Sequence, residues 1–430
     1  MRRRRRRRRR RMGDTSSGNV LAGWTVGDVV RCRDANDVRP AALVHLAPMT
    51  SVAGALRALA ASNVLSAPVV GAGREAAATA VAGVHHGFCD VRMLLGSFLG
   101  RLVEAEPELA RPDVPVLKRM RLLEAAGPKL MQSSVAEVLG DLHKVLGVRA
   151  AGGDGAFRAF LCDLACPLDR VLEEGFLSDC PRWLAAHRVA VADPATGRIA
   201  DVVSQTDVLR LFRARWGELP LPGAGDGDSA SVTVADLGLD LSPGSVTTVS
   251  MEEPVLLSYL HLAREGRAAA AVVDPEDGTL VANLSASDLR GLLPEHCGEL
   301  ALNTLEYLAT KSRGRPPPPQ GEEGEARVRA EASVPRSPTP HLHVHGSQPG
   351  TGEHTRKVHS LDFGEVEIDV EAISCEETSP LLDVVDKILT RKVHRVYVVD
   401  ARGAPRGVVT MTDIIASIHR ACLAQAKAAA

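Results

Sequence analysis

Apolar positions along this chain switch between short continuous runs, as in buried strands, and the 3.6-residue spacing of helices, and the switches come in a fixed order. In the clearest stretch, His394-Arg395 opens the apolar run Val396-Tyr397-Val398-Val399. A turn follows, then Gly407-Val408-Val409, then Thr410-Met411-Thr412-Asp413 leads into a helix. A second copy runs from His187-Arg188-Val189-Ala190-Val191 to Ser204-Gln205-Thr206-Asp207. A third runs from Ala269 through Asp274 to Ser285-Ala286-Ser287-Asp288. The earliest copy has a strand over Ala41–Leu46 and a helix over Ser51–Ser62, with Val52, Ala55, Leu56 and Leu59 on one face. Strands follow over Leu65–Val70 and Ala80–Val84, and a closing helix over Asp90–Leu102. The predicted order in each unit is strand, helix, strand, strand, helix. A pattern returning along one chain means one structural unit used several times.

A second repeat runs in step with the first. Thr25-Val26-Gly27-Asp28, Ser134-Val135-Ala136-Glu137 and Thr233-Val234-Ala235-Asp236 each place an acid three residues after a hydroxyl, the signature of a capped helix start. The fourth unit shows no such opening. The aspartates Asp90, Asp207, Asp288 and Asp413 lie 117, 81 and 125 residues apart. Both long gaps hold insertions, the charged and proline-containing stretch 104–132 and the low-complexity stretch from Lys311 to Glu353, so a unit of roughly 80 residues fits throughout. The expected divisions are a disordered tail over 1–19, units over 20–104, 133–217 and 230–310, a disordered proline-rich linker over 311–355, and a fourth unit over 356–425.

Aromatic residues are 3% of the chain, so the cores must be built from Val, Leu and Ala. The formal charge of −2 includes the ten arginines Arg2–Arg11, which leaves the remainder near −12. A mildly acidic body gives no reason to expect a nucleic-acid surface. The arginine run reads either as a like-charged tail or as a basic contact or import segment. No apolar stretch of membrane length occurs. Eight scattered cysteines make no paired zinc motif, and His341, His343 and His345 lack a partner cluster, so no metal site is expected. Reduced thiols and a cytoplasmic or nuclear location are expected.

The hydroxyls three residues and one residue before each aspartate, Ser204 and Thr206, Ser285 and Ser287, Thr410 and Thr412, have two readings. They cap helices, or they form a ligand turn in which the carboxylate accepts ribose hydroxyls and the Ser/Thr hydroxyls hold phosphate. His187-Arg188 and His394-Arg395 read either as solvated strand edges or as a phosphate clamp, since a guanidinium offers paired donors and a neighbouring imidazole adds another. No nucleophile–base set or Walker loop is present. The repeats use all the folded length, so the chain is not expected to be an enzyme.

The His-Arg opening and the Ser/Thr-x-Ser/Thr-Asp turn resemble CBS repeats, which pair into Bateman modules. Together with Asn283–Gly291, Leu302-Asn303-Thr304-Leu305-Glu306-Tyr307 and Arg391–Ile415, they look like the gamma-type regulatory subunits of the AMP-activated and sucrose-non-fermenting kinases, and most of all like the related plant CBS proteins. The resemblance implies an α+β fold of four repeats in two Bateman modules. It also implies regulatory AMP, ADP or ATP rather than a cofactor, a kinase catalytic subunit as partner, a beta-type scaffold subunit beside it, and neither nucleic acid nor membrane. By position, Ser204, Thr206, Asp207, Ser285, Ser287, Asp288, Thr410, Thr412 and Asp413 would serve ribose and phosphate. His187, Arg188, His394 and Arg395 would serve phosphates. Unit one departs from the pattern, with Gly87 three residues before Asp90 and no basic pair near Ser66-Ala67. In unit three, Arg267-Ala268 is expected where His-Arg would stand. A ligand-free interaction scaffold and a regulator of another target, such as a redox protein, are the alternatives.

Overall fold

The computed structural model describes residues 19–35, 43–70, 85–146, 161–177, 187–221, 231–242, 244–312, 342–344, 355–360 and 368–429. The four units are present as mixed helix and strand. Unit one has α2 (Val52–Ala61), β1 (Ser66–Val70), β2 (His85–Asp90) and α3 (Val91–Ala105), with Leu46 bridging to Val69 as its first strand. Unit two has β3 (Leu161–Cys162), α6 (Leu168–Val171, continued by a wider turn to Phe176), β4 (Arg188–Ala192), β5 (Ile199–Ser204) and α7 (Gln205–Ala214). Unit three has β6 (Thr248–Ser250), α8 (Val255–Arg264), β7 (Ala269–Val273) and β8 (Leu280–Ser285), ending in a 3-10 turn over Ala286–Leu289. Unit four has β12 (Ser374–Cys375), α10 (Leu381–Arg391), β13 (Arg395–Val399), β14 (Pro405–Thr410) and α11 (Met411–Ala429). In units two to four the first strand runs parallel to the second, and the second antiparallel to the third.

The third strand of unit one is His85–Asp90. The expected strand at Ala80–Val84 lies outside the described residues. So does most of the expected linker over 311–355, apart from Leu342–Val344 (β9), which pairs with Thr355–Ser360 (β10); β10 also pairs with Ile368–Glu371 (β11).

The helix openings do not pack on the units they precede. Helix α1 (Val26–Ala35) docks on unit two, where Val26 N–H reaches Cys166 O at 3.0 Å and Leu168 N–H reaches Trp24 O at 2.8 Å. Helix α5 (Val135–Leu146), which leads into unit two, docks on unit one through Val135 N–H to Thr50 O at 2.8 Å. The opening of unit three, a short turn over Ala235–Leu237, docks on unit four through Leu381 N–H to Val232 O at 2.9 Å. Helix α9 (Thr304–Ser312) docks on unit three through Thr304 N–H to Glu253 O at 2.9 Å. Four bridges mark these contacts at one equivalent place: Thr25 with Pro167, Ser134 with Ser51, Thr233 with Pro380 and Asn303 with Pro254.

Helix α9 is therefore the opening of unit four. Its cap is reciprocal: Glu306 N–H donates to Asn303 Oδ1 at 2.8 Å and Asn303 N–H to Glu306 Oε2 at 3.3 Å. Asparagine caps as well as a hydroxyl does. With Asn in place of Ser or Thr, and an insertion between opening and unit, the signature was hidden.

Within each module, units exchange openings. Between modules, cores merge. Unit one with α5 and unit three share one apolar core, and unit two with α1 and unit four share another. The insertion helix α4 (Val116–Leu130) lies along Pro294–Ala301 of unit three, close enough that a side chain at Gly127 would meet Cys297 Sγ. Helix α1 is held by the buried Arg33 guanidinium, which donates to Asp201 at 2.6 and 3.0 Å and to Val202 O at 3.1 Å. Removing one partner of a buried ion pair typically costs about 3 kcal/mol, mostly from the stranded charge. Arg33 also donates to Asp34 at 3.1 Å and keeps that partner, so Asp201→Ala is expected to lower unfolding free energy by about 1 to 2 kcal/mol, and to speed amide exchange in 161–177 and 187–221 but not in 43–70. Faster exchange in unit one alone would contradict the exchanged packing.

Candidate functional site

One hydrogen bond fixes the alignment of the four units at the step from third strand to helix. Gln205 N–H donates to His187 O at 3.2 Å, Met411 N–H to His394 O at 3.2 Å, Ala286 N–H to Ala268 O at 2.9 Å, and Val91 N–H to Leu65 O at 2.9 Å. His187-Arg188 and His394-Arg395 therefore correspond to Ala268-Ala269 in unit three and Leu65-Ser66 in unit one. Both expected positions, Arg267-Ala268 and Ser66-Ala67, were one residue off, because uniform small apolar runs carry no register mark. Asp90 moves by three: it is the N-cap of α3, accepting from Met93 N–H at 2.8 Å, and so corresponds to Ser204, Ser285 and Thr410. Arg92 stands where Thr206, Ser287 and Thr412 stand.

Part of the predicted chemistry is spent on capping. Ser204 and Asp207 form a reciprocal box, with Ser204 Oγ donating to Asp207 Oδ2 at 2.7 Å and Asp207 N–H to Ser204 Oγ at 3.3 Å. Thr410 Oγ1 donates to Asp413 Oδ2 at 2.6 Å, and Asp413 N–H to Thr410 Oγ1 at 3.2 Å. Ser285 N–H donates to Asp288 Oδ2 at 2.7 Å, and Ser287 Oγ to Ser285 Oγ at 2.9 Å. Thr206 and Thr412 lie on the seam between units two and four. Gln205 Nε2 donates to Thr412 Oγ1 at 3.0 Å, and Thr206 Oγ1 reaches Met411 Sδ at 3.5 Å. Gln205 Oε1 also meets His187 Nδ1 at 3.2 Å. The second oxygen of Asp207 accepts from Arg210 at 3.1 Å, and Asp90 is gripped by Arg92 at 2.8 and 3.2 Å.

What the fold brings together is the basic set. His187, Arg188, His394 and Arg395 converge with Arg92 of unit one, and all of them are half-buried. Arg188 donates to Ser66 Oγ of unit one at 2.9 Å. Burial first, then the positive charges of Arg188, Arg395 and Arg92, pushes His394 down to about 3. Burial and Arg92 hold His187 low as well. Asp288 of unit three faces Arg395 of this set. Burial raises it to about 6, against the hydrogen bond from Ser285 N–H and the pull of Lys311, Arg395 and Arg290. The carboxylate of unit three thus faces the basic pair of unit four, and Asp90 of unit one faces that of unit two. The complementary halves of each cleft come from different units of a module, not from the same unit.

Arg92, Arg290 and Lys311 were missed in the sequence. Arg92 and Arg290 were visible as the second residue after a tracked aspartate, but without the fold nothing joined them to the His-Arg pairs. Among the described residues no group of three His, Cys, Asp or Glu could hold a metal ion, and no helix is long and apolar enough to cross a membrane.

Such a centre suits an anion. Two imidazoles held neutral first by burial and then by neighbouring cations are easier to protonate once a dianion lies beside them, and protonation of Asp288 removes an opposing charge. Both effects have the same sign. Sulfate, which does not titrate in this range, is expected to bind more tightly as pH falls from 7.5 to 5.5, and His394→Gln with Asp288→Asn is expected to flatten that dependence. Titration calorimetry reads both; pH-independent binding in the wild type would contradict the assignment.

Residues 364–420 match the CBS domain family. The chain is 45% identical over 56 residues to the SNF1-related protein kinase regulatory subunit gamma-like PV42b of Arabidopsis thaliana, covering 13% of this chain and 16% of that protein. It is 46% identical over 49 residues to PV42a of the same plant, covering 11% and 14%. The matched part is thus about a sixth of these curated relatives' length. Among solved structures, protein MJ1225 of Methanocaldococcus jannaschii is 14% identical, with 88% of this chain and 96% of that chain covered and a TM-score of 0.48. CBSX2 in complex with AMP is 16% identical, with 43% and 95% covered and a TM-score of 0.23.

Proposed function

We propose that this chain is a non-catalytic regulatory protein that binds an adenine nucleotide by its phosphates at the centre of the four units, and through that binding modulates a Ser/Thr protein kinase. The observation that carries the reading is the convergence of Arg92, Arg188, His394 and Arg395 from units one, two and four on one place, with Asp288 of unit three facing Arg395. A guanidinium pair matches phosphate oxygens, and a facing carboxylate matches a ribose diol. The kinase partner rests on the gamma-like relatives and on the family of the last unit. A catalytic subunit, with a beta-type scaffold subunit beside it, is the expected assembly in the cytoplasm or nucleus. A bound nucleotide shifts that assembly only by its difference in affinity between free and engaged forms.

The two modules are unequal. In the first, Arg92 already neutralises Asp90, which leaves cations and no open carboxylate for a ribose. The second module keeps Asp288 opposite Arg395, so one main nucleotide site is expected, between units three and four. Thr410 and Asp413 border the mirror cleft, where Ala268-Ala269 supplies no cation. Arg395→Ala is expected to weaken AMP binding by about tenfold or more, the value of one charge-assisted contact pair, and Asp413→Ala by much less. Unchanged AMP affinity in Arg395→Ala and in Arg188→Ala would contradict the central site.

A ligand-free scaffold is the second reading, favoured by the internal use of Asp90, Gln205 and Thr412. Kinase association that is intact and insensitive to nucleotide, in a protein with no measurable nucleotide affinity, would select it.

A further inference from the structure

In the cleft between units three and four, one side chain breaks the pattern of its equivalents. Asn283 lies two residues before Ser285 on β8, hence on the same face of the strand. It pairs across the sheet with Ala271, as Val202 pairs with Ala190 and Val408 with Tyr397. At the mirror position of the module Val408 packs in an apolar cluster with Val246. Where units two and four have valine, unit three has an amide.

Both the nitrogen and the oxygen of that amide bond to the other unit. Asn283 Nδ2 donates to Ile373 O at 3.2 Å, and Ile373 N–H donates to Asn283 Oδ1 at 3.2 Å. The two bonds fix the amide's orientation, since a flipped amide would set donor against donor and acceptor against acceptor. Ile373 immediately precedes the first strand of unit four, and its carbonyl also accepts from Tyr397 N–H at 3.2 Å. The contact therefore spans the same cleft in which Asp288 of unit three faces Arg395 of unit four. It sits on the strand leading to Asp288, away from the cationic end.

A peptide N–H and C=O presented side by side reads any planar edge with an adjacent donor and acceptor. A carboxamide has such an edge. So does adenine, whose exocyclic amine lies beside ring-nitrogen acceptors, which is why asparagine and adenine pair with two bonds. We infer that Asn283 is an internal stand-in for a nucleobase edge: it occupies the base-reading peptide of Ile373, so this cleft grips its ligand by phosphate and sugar and is almost indifferent to the base. The inference rests on the nucleotide reading of the cleft given above and adds that the base subsite is filled by the chain's own side chain.

The test is calorimetry on the full chain with two probes, AMP and ribose 5-phosphate, against the wild type, Asn283→Val and Asn283→Ala. Valine is the residue at the equivalent positions of units two and four, and alanine guards against a packing fault in the valine variant. Thermal melts check that both fold. Expected in the wild type are affinities for the two probes within about threefold of each other. Expected in both variants is AMP binding about tenfold tighter, with ribose 5-phosphate unchanged, a shift worth about 1.4 kcal/mol. If both probes bind and their ratio does not move in either variant, Asn283 is not a base surrogate, while the nucleotide reading stands. A wild type that already prefers AMP by more than tenfold overturns the inference in the same way. If neither probe binds any of the proteins, the nucleotide reading falls and the inference falls with it.

Discussion

Everything in this molecule depends on the exchange of capped turns between paired units. Thr25, Ser134, Thr233 and Asn303 each start a helix or helical turn by sharing a carboxylate three residues on, and each pairs its backbone with the residue that precedes the helix of its partner: Pro167, Ser51, Pro380 and Pro254. Each unit lends its opening to its neighbour and borrows one back. No unit closes its own core. The exchange sets the two units of a module in a fixed relation, and the shared cores of units one and three and of units two and four then lock one module to the other.

The same constraint turns the starts of β4 and β13 and the ends of β2 and β8 toward a common centre. Local chemistry then divides what is placed there. The hydroxyl–carboxylate boxes stabilise helix starts by about 1 kcal/mol each, and in doing so they tie up one carboxylate oxygen in each box. Arg92 takes up Asp90. The centre is left richer in guanidinium and imidazole than in carboxylate, and burial keeps His187 and His394 neutral rather than adding further repulsion. Interactions among partly desolvated charges are stronger than at a surface. An anion entering this space gains contacts from several units at once, so its binding is tied to how the two modules sit together.

Much of this could be read in the sequence, and the failures are instructive. The four units, the three hydroxyl openings and the element order followed from apolar periodicity and capping chemistry, because both are local, except that a 3-10 turn over Ala286–Leu289 stands in unit three where a closing helix is expected. The fourth opening was missed because Asn303 replaced a hydroxyl and an insertion separated it from its unit. The Asp90 alignment was off by three because an aspartate serves as an N-cap as readily as it serves three residues further on; only the strand register distinguishes the two. Thr206 and Thr412, read as ligand hydroxyls, meet Met411 and Gln205 respectively across a seam that no local pattern encodes. The placing of Asp288 opposite Arg395, the most informative juxtaposition of the candidate site, is likewise a product of packing between units.

The central claim is that phosphate is recognised where units from both modules meet. A crystal structure of the full chain grown with saturating AMP tests it most directly. The account predicts the phosphate among Arg92, Arg188, His394 and Arg395, with the ribose toward Asp288. A centre free of phosphate at saturation, or a nucleotide held by residues of one unit alone, would contradict it.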